Sequence, residues 1–385
     1  MTELTLQNEN PASDSVSTAE ATPLAEHLAS PGSAPAPELI SYLGVQTPRQ
    51  LDAQEAETDA LFSGAGVHDL GWLRRITLRG EDRLRWLSGM VTNAVETLPE
   101  RRGAYNLVLN AQGRIQGDCY VWREGDALEL ELTAEQTEAL MAHFDRFIIM
   151  DDVEVTPVAG LSALGLTGPA AEPMLQKLGL AVSVEELFSV DGVVPAPSGE
   201  IPVKLIRSYG TLVPHFELWA ATELIPALWQ ALLAAGATAV GAASLEILRI
   251  AEGIPAYGVD IQSRDLAQET AQDRALSFTK GCYLGQEIVE RIRSRGQVHR
   301  HLRSLELTAE NAVDLPALGA ELRVSGSAPE AKPAGALTSV TALHRNGVRR
   351  IFAIAMIRAE AEIGNRPLEY AGGTARILHT PPNLT

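Results

Sequence analysis

The chain has 385 residues, a formal net charge of −18 and 45% hydrophobic residues. This length exceeds what one hydrophobic core usually supports, so two or three domains are expected. The hydrophobic content excludes a fully disordered chain, and the acidic excess argues against broad binding to nucleic acids or anionic membranes. The two cysteines, Cys119 and Cys282, are far apart, which excludes a disulfide-rich scaffold and indicates a reducing cytoplasm.

The first 48 residues contain no lysine or arginine, and acidic residues are scattered among Ala, Ser, Thr and Pro. Secretory signal peptides begin with basic residues and transit peptides are rich in arginine, so this composition fits neither. It predicts a disordered acidic tail over residues 1–46, with a short helix near 24–30.

Two α+β units are predicted after the tail. In the first, a strand at 72–78, a turn at 80–82 and a helix precede a hairpin whose strands are at 104–109 and 115–122. In the second, a strand at 161–166 also ends in a glycine turn before a helix. The shared order of strand, glycine turn and helix suggests an internal duplication.

Beyond Gly296 the chain is rich in short strand patterns separated by turn residues, which predicts a small closed or sandwich-like β domain. The predicted strands lie at 302–307, 321–324, 335–340, 351–357 and 375–379.

The segment KGCYLGQE at 280–287 stands apart, because the familiar motifs for nucleotide triphosphates and zinc proteases are absent. Its glycines allow close approach to a ligand or a positive φ. At alternate positions after it, Arg291, Arg293 and Arg295 would share one face of a strand. This local positive charge indicates an anion site, although the arginines could also simply balance neighbouring carboxylates.

Cys282 in this segment has two interpretations. Basic neighbours and a glycine-rich turn would favour a reactive thiolate, whereas a lone cysteine often packs as a small hydrophobic residue. Cys119 lies in an apolar strand pattern and is expected to pack in a core. His299 and His301 could face a metal ion together, but no third ligand is evident, so no metal site is predicted.

The run KGCYLGQEIVERIRSRG at 280–296 closely resembles the signature of YgfZ-type folate-binding proteins, relatives of the glycine-cleavage T-protein, an aminomethyltransferase. Three other segments agree with this superfamily in order and spacing: LRGEDRLRWLSGMVTNAVETL at 78–98, GAYNLVLNAQGRIQGD at 103–118 and LEILRIAEGIPAYGVDI at 245–261. The resemblance implies an α+β protein with a three-domain, ring-like aminomethyltransferase/YgfZ-type fold, a C-terminal β-barrel and a central hole that binds tetrahydrofolate. The expected domains are a folate-binding α+β domain at 47–157 and 241–296, a second α+β domain at 158–240, and the barrel at 297–385.

The resemblance also implies site residues. Glu217 matches the carboxylate that accepts the amino group and ring N–H of the pterin, and Arg249, Tyr105 and Tyr257 match positions near the folate. Lys280 and the arginines after it could bind the anionic glutamate tail. Each residue also has a structural interpretation: a solvated strand position for Glu217, a solvent-facing helix position for Arg249, and core packing for the tyrosines.

Asp118 marks a departure from the superfamily. Aminomethyltransferases have paired aspartates in the corresponding strand, one of which is needed for transfer to the folate, whereas this chain has Gly117 before Asp118. A single carboxylate could still orient the folate or act as a base, so transfer chemistry stays open.

Three functions follow as hypotheses. The first is a cytoplasmic tetrahydrofolate-binding protein that supports assembly or repair of iron–sulfur clusters in client enzymes through Cys282; two cysteines are too few to hold a cluster. The second is a transferase that moves an aminomethyl or methyl group onto tetrahydrofolate, with Asp118 as the essential acid. The third is a non-catalytic scaffold that has lost folate binding. Because no heptad repeat is present, a monomer is expected.

Overall fold

The computed structural model describes residues 19–30, 36–296, 298–309, 315–328, 330–364 and 366–384. The helices in these ranges are α1 (Pro23–Leu28), α2 (Gln54–Ser63), α3 (Arg83–Ser88), α4 (Ala134–Asp145), α5 (Ala171–Lys177), α6 (Ile225–Ala234), α7 (Ala242–Glu252) and α8 (Gln286–Arg295). The strands are β1 (Leu39–Tyr42), β2 (Val45–Pro48), β3 (Gly66–Asp69), β4 (Leu73–Arg79), β5 (Gly103–Leu109), β6 (Ile115–Glu124), β7 (Ala127–Thr133), β8 (Glu154–Pro157), β9 (Leu161–Thr167), β10 (Phe188–Ala196), β11 (Gly199–Ser208), β12 (His215–Ala221), β13 (Thr238–Val240), β14 (Arg300–Ala309), β15 (Glu321–Val324), β16 (Gly335–Arg345), β17 (Val348–Arg358), β18 (Leu368–Tyr370) and β19 (Gly373–Leu378). No helix within the described residues is long and apolar enough to cross a membrane.

The first unit is built on a five-stranded antiparallel sheet in the order β5-β6-β7-β4-β8. β5 and β6 form the predicted hairpin, in which Tyr105 lies opposite Tyr120 and Leu107 lies opposite Asp118. Leucines alternate with glutamates along β7, and the leucines pack in one core with residues of α3 and α4. The glutamates of β7 therefore lie on the other face of the sheet.

The second unit has six strands in the order β10-β11-β12-β9-β3-β13. Its pairs are antiparallel except for β13 with β3. Phe216 and Leu218 of β12 lie in one core with residues of α5 and α6. β3 belongs to this sheet although it falls within residues 47–157, so the predicted boundary of the first domain is wrong for this strand.

The two sheets face each other through a small apolar cluster. Because side chains alternate along a strand, Glu217 and Trp219 lie on the face of β12 opposite Phe216. Trp219 packs with Trp122 of β6 in this cluster. The part of the interface where the two tryptophans meet is thus removed from solvent.

The C-terminal strands close into a barrel in the order β14-β17-β16-β15-β18-β19. β14 pairs with both β17 and β19, so the barrel has no open edge strand. This confirms the predicted β-barrel. It packs against the rest of the protein through α7, which contacts β16 and β17.

The N-terminal segment is more ordered than its composition predicts. α1 buries Leu24 completely in the core of the second unit, and β1 and β2 form a hairpin. Thr22 and Thr47 donate hydrogen bonds to the Asp69 carboxylate. The short helix predicted near 24–30 is confirmed by α1, whereas the disorder predicted around it is wrong for residues 19–22 and 36–46, since these contacts offset the polar composition. Residues 1–18 and 31–35 lie outside the described residues.

Candidate functional site

Two of the predicted residues meet on the β5–β6 hairpin. The Tyr105 hydroxyl donates to Oδ2 of Asp118 at 2.6 Å, and Nε2 of Gln136 donates to Oδ1 at 2.9 Å. Burial raises the pKa of Asp118, while these two hydrogen bonds act in the opposite direction. The raised pKa makes Asp118 a candidate acid or base.

An arginine, Arg274, lies against the ring of Tyr105. The Arg274 guanidinium carbon is 4.2 Å from the ring centroid of Tyr105 and 3.8 Å from that of Tyr209. Its Nη1 donates to the Tyr120 hydroxyl at 2.9 Å. Arg274, Tyr105 and Tyr209 line a cavity of about 540 Å³, whose wall also includes Asn93, Arg102 and Glu185. The tyrosines therefore form a slot for a planar group, which Arg274 fills.

Glu217 lies between the two sheets rather than on a solvated strand face. Its side chain is 7% exposed. Oε1 accepts from the Ser208 hydroxyl at 2.5 Å, and Oε2 accepts from the Trp219 indole N–H at 2.8 Å. A carboxylate has about four acceptor positions, so Glu217 keeps capacity for further donors.

A second buried carboxyl group, Glu131 of β7, faces Glu217 across the sheets. Burial and the charge of Glu217 raise the pKa of Glu131, while Arg75 lowers it. Arg75 Nη2 lies 2.6 Å from Glu131, and its guanidinium carbon lies 5.4 Å from the ring centroid of Trp122 and 4.4 Å from that of Trp219. Arg75 Nη1 also donates to Glu129 at 3.1 Å, so this buried cation pairs with two glutamates of β7.

Comparison with known proteins identifies the family. The family described as GCVT N-terminal domain matches residues 36–280, a range that includes Tyr105, Asp118, Glu217 and Arg274. This chain belongs to that family.

The relatives of this GCVT-family protein include transferases. An aminomethyltransferase from Geobacillus kaustophilus is 30% identical over 270 residues, which cover 68% of this chain and 73% of the relative. A putative chloroplastic transferase from Arabidopsis thaliana is 26% identical over 326 residues, covering 82% of this chain and 70% of the relative. The solved structure of the glycine cleavage system aminomethyltransferase T from Bartonella henselae matches with a TM-score of 0.80 at 18% identity, covering 94% of this chain and 98% of the other. This likeness confirms the predicted aminomethyltransferase-like fold.

Lys280 fixes the loop that begins the KGCYLGQE segment at 280–287 of this GCVT-family protein. Its Nζ donates to the carbonyl oxygens of Ser88 and Val91, both at 2.6 Å, and of Asn93 at 2.9 Å. An ammonium group has three N–H donors, so all of them are used within the protein. Burial lowers the pKa of Lys280 to about 8. Lys280 therefore anchors the loop in this conformation, and its role toward a ligand stays a prediction.

Cys282, in the same loop, is exposed, whereas Cys119 is buried in the core of the first unit. Exposure makes the Cys282 thiol accessible, and it removes the interpretation of Cys282 as a core residue. Burial raises the pKa of Cys119 above its usual range. The expectation of a packed Cys119 is confirmed.

Arg249 has a structural role in this conformation. Nε and Nη2 donate to the two carboxylate oxygens of Glu246 at 2.8 and 2.5 Å, and Nη1 donates to Asp260 and to the Ile254 carbonyl, both at 2.7 Å. Nη2 also donates to Ser339 of the barrel at 2.9 Å. These bonds use all five guanidinium N–H groups. The structure thus contradicts the solvent-facing interpretation of Arg249, and its role toward a folate stays a prediction.

Tyr257 lies on the Asp118 side of the site. It is half-buried, and burial raises its pKa, followed by the negative charges of Asp118 and Glu135. Burial raises the pKa of Glu135 as well, followed by the charge of Asp118. Tyr257 and Asp118 are therefore electrostatic neighbours, and the role of Tyr257 toward a ligand stays a prediction.

The basic run after the loop forms a helix rather than a strand, so the predicted arginine face is wrong. Arg291 and Arg293 are two residues apart in α8, and this spacing places them on different sides of a helix. His301 pairs with Glu362. Among the described residues, no group of three or more His, Cys, Asp or Glu side chains could hold a metal ion.

Sequence reasoning missed Arg274, Tyr209, Asn93 and Glu131. Arg274 lies in a short turn, Asp273–Ala275, within an irregular segment that has no periodic pattern. The sequence feature that could have indicated Tyr209 is its position directly after β11, on the connection to the strand that contains Glu217. Glu131 belongs to an alternating strand, where a glutamate normally indicates a solvent face.

Proposed function

We propose that the protein binds tetrahydrofolate, with the flat pterin between Tyr105 and Tyr209 and with Glu217 as the carboxylate that recognises its amino edge. The observation that supports this best is the slot itself, where a planar guanidinium already lies 4.2 Å and 3.8 Å from the two rings. A pterin is planar too, and its amino-pyrimidine edge contains the same N–C–N unit as a guanidinium. The residues present therefore fit this ligand.

The two acids suit different tasks under this proposal. Glu217 is held by Ser208 and Trp219 and keeps acceptor positions for a pair of N–H donors. Asp118 has a raised pKa, which suits proton transfer at a nitrogen. Bacterial relatives carry the name aminomethyltransferase, which also supports a folate-related function.

Anaerobic calorimetry with tetrahydrofolate tests the proposal. Glu217→Gln should weaken binding by about 10-fold or more, because it replaces a charged acceptor for paired donors. Glu223→Gln, an exposed position just after β12, is the matched control and should bind like the wild type. Far-UV circular dichroism checks that both variants fold. No binding by the folded wild type would favour the non-catalytic scaffold instead.

The finer role that we propose is support of iron–sulfur cluster assembly or repair in client enzymes, with Cys282 as the reacting thiol. It rests on the YgfZ-type signature and on the position of the thiol. Cys282 is exposed in a loop that Lys280 holds to Asn93, and Asn93 lies in the cavity wall. An accessible thiol, in a loop that is anchored to a residue of the cavity wall, suits contact with a partner protein. A reducing compartment would keep it available.

Genetic rescue tests this role. In a deletion strain, wild-type protein should restore the specific activity of an iron–sulfur dehydratase such as aconitase, and Cys282→Ala should not. Thr279→Ala, exposed in the same loop, is the control. Full rescue by Cys282→Ala would remove the thiol role and leave the folate proposal intact.

The half-buried Asp118 favours one-carbon transfer as a second candidate function. Its hydrogen bond from Tyr105 fixes the carboxyl group beside the slot. If the protein transfers an aminomethyl group, formation of 5,10-methylenetetrahydrofolate from an aminomethylated carrier should be seen with wild type and lost in Asp118→Asn. Asp126→Asn, exposed in the turn after β6, should keep the activity. No turnover by the wild type would exclude this candidate.

A further inference from the structure

Arg274 occupies the slot to which the proposed function assigns the pterin. Its guanidinium lies against Tyr105 and Tyr209, and a third ring, Tyr120, lies 5.8 Å away. The space between the two rings accommodates one planar group at van der Waals distance from each ring, so it cannot hold a second planar group at the same time. Arg274 and a pterin in that slot are therefore mutually exclusive.

The backbone of Arg274 is fixed by contacts that do not involve its side chain. Asn93 Nδ2 donates to the Arg274 carbonyl at 2.8 Å, and the Thr92 hydroxyl donates to the Ala275 carbonyl at 2.7 Å. The guanidinium donates to Tyr120 and Gln272. Within the described part of the chain, no carboxylate forms an ion pair with it. The side chain can therefore rotate out of the slot without any break in the backbone contacts.

We propose that Arg274 is an internal occupant of the ligand slot that a pterin must displace, an inference that rests on the proposed function. The guanidinium matches a pterin in planarity and in its N–C–N unit, so it keeps the slot closed to weaker stacking groups. A ligand gains the slot only if it stacks on the tyrosines and also reaches an acceptor such as Glu217. Arg274 thereby sets the specificity of the site and lowers its apparent affinity.

Tetrahydrofolate binding to three full-length proteins tests this inference: wild type, Arg274→Ala and Arg274→Gln. Arg274→Ala should bind tetrahydrofolate more tightly, on the order of 10-fold, because no side chain has to leave the slot before the pterin enters it. Arg274→Gln retains a donor for Tyr120 without the planar cation, and it should bind more tightly than wild type but less tightly than Arg274→Ala. Arg264→Ala, an exposed position ten residues before, is the control and should match the wild type.

The outcomes separate this inference from the proposed function. Unchanged or weaker binding by the folded Arg274 variants, with binding by the wild type, would overturn the inference alone and make Arg274 a ligand contact or a bystander. Binding by Arg274→Ala but not by the wild type would support it. If no variant binds, both proposals fail. Thermal unfolding confirms that each protein is folded, and Arg274→Gln decides the matter if Arg274→Ala does not fold.

Discussion

The Lys280 ammonium lies 2.9 Å from the carbonyl oxygen of Asn93. Asn93 in turn donates through its side chain to the carbonyl oxygens of Tyr105 at 3.1 Å and Arg274 at 2.8 Å. The loop that contains Cys282 is thereby connected, through Asn93, to Tyr105, which lines the slot, and to Arg274, which occupies it. Hydrogen bonds and a short stretch of backbone thus link the slot to the exposed thiol.

Lys280→Met tests how much this anchor stabilises the fold. The substitution leaves three carbonyl oxygens without their charged donor, and it should lower the free energy of unfolding by about 2–4 kcal/mol. Urea unfolding followed by tryptophan fluorescence measures the change. Lys177→Met, at an exposed helix end, should shift it by less than about 0.5 kcal/mol. A small effect at Lys280 would mean that the loop is held by other contacts.

The two glycines of the loop should differ in tolerance. Gly285 has φ +82°, and a Cβ there would lie 2.5 Å from the Asn110 carbonyl oxygen, whereas a Cβ on Gly281 meets nothing within 4 Å. Gly285→Ala should therefore lower the free energy of unfolding by about 2 kcal/mol or more, from left-handed strain and overpacking. Gly281→Ala should change it by less than about 0.5 kcal/mol. Equal effects in thermal unfolding would contradict this assignment of their roles.

Stability should fall in mild acid because of His68. Burial lowers its pKa from 6.5 to about 3, and its Nε2 lies 3.0 Å from the Thr167 hydroxyl. Between these pH values His68 binds a proton in the unfolded chain but not in the folded protein. Its contribution to stability is therefore complete above pH 6.5 and is lost as the pH falls below that value. From about pH 7 to pH 5 the wild type should lose about 2 kcal/mol more than His68→Gln.

Urea titrations at the two pH values measure this difference. His344→Gln, exposed on the barrel, is the control and should retain the full acid sensitivity of the wild type. An identical loss in His68→Gln would assign the acid sensitivity to other groups.

The part of the site that sequence could predict is local. Tyr105 and Asp118 meet because a hairpin fixes their register, and the hairpin is evident from two strand patterns around a turn. The slot could not be predicted in this way. It joins Tyr105, Tyr209 and Arg274, which come from distant segments and meet only through tertiary packing.

The error at 291–295 had a physical signal against it. Arginine, glutamine and glutamate favour helices, and Ile288, Val289 and Ile292 have helical rather than alternating spacing. The solvent-facing interpretation of Arg249 was wrong for a different reason. Its partner Glu246 lies in the same helix, but its other ion-pair partner, Asp260, and its barrel contact, Ser339, lie outside the helix, where no helical pattern could reveal them.

The cation between the sheets provides the last prediction. Arg75 is paired with Glu131 and enclosed by Trp122 and Trp219. Arg75→Met should lower the free energy of unfolding by about 3–5 kcal/mol, because it leaves a buried carboxyl group without its counter-ion. Arg79→Met, exposed at the end of the same strand, should cost less than about 1 kcal/mol.

A double variant identifies the cause of the loss. If the unpaired charge dominates, Arg75→Met combined with Glu131→Gln should regain more than half of the stability, since the glutamine needs no counter-ion. Chemical unfolding of the single and double variants gives the coupling energy. A double variant as unstable as Arg75→Met alone would show instead that stacking of the guanidinium between the two indoles is what holds the sheets together.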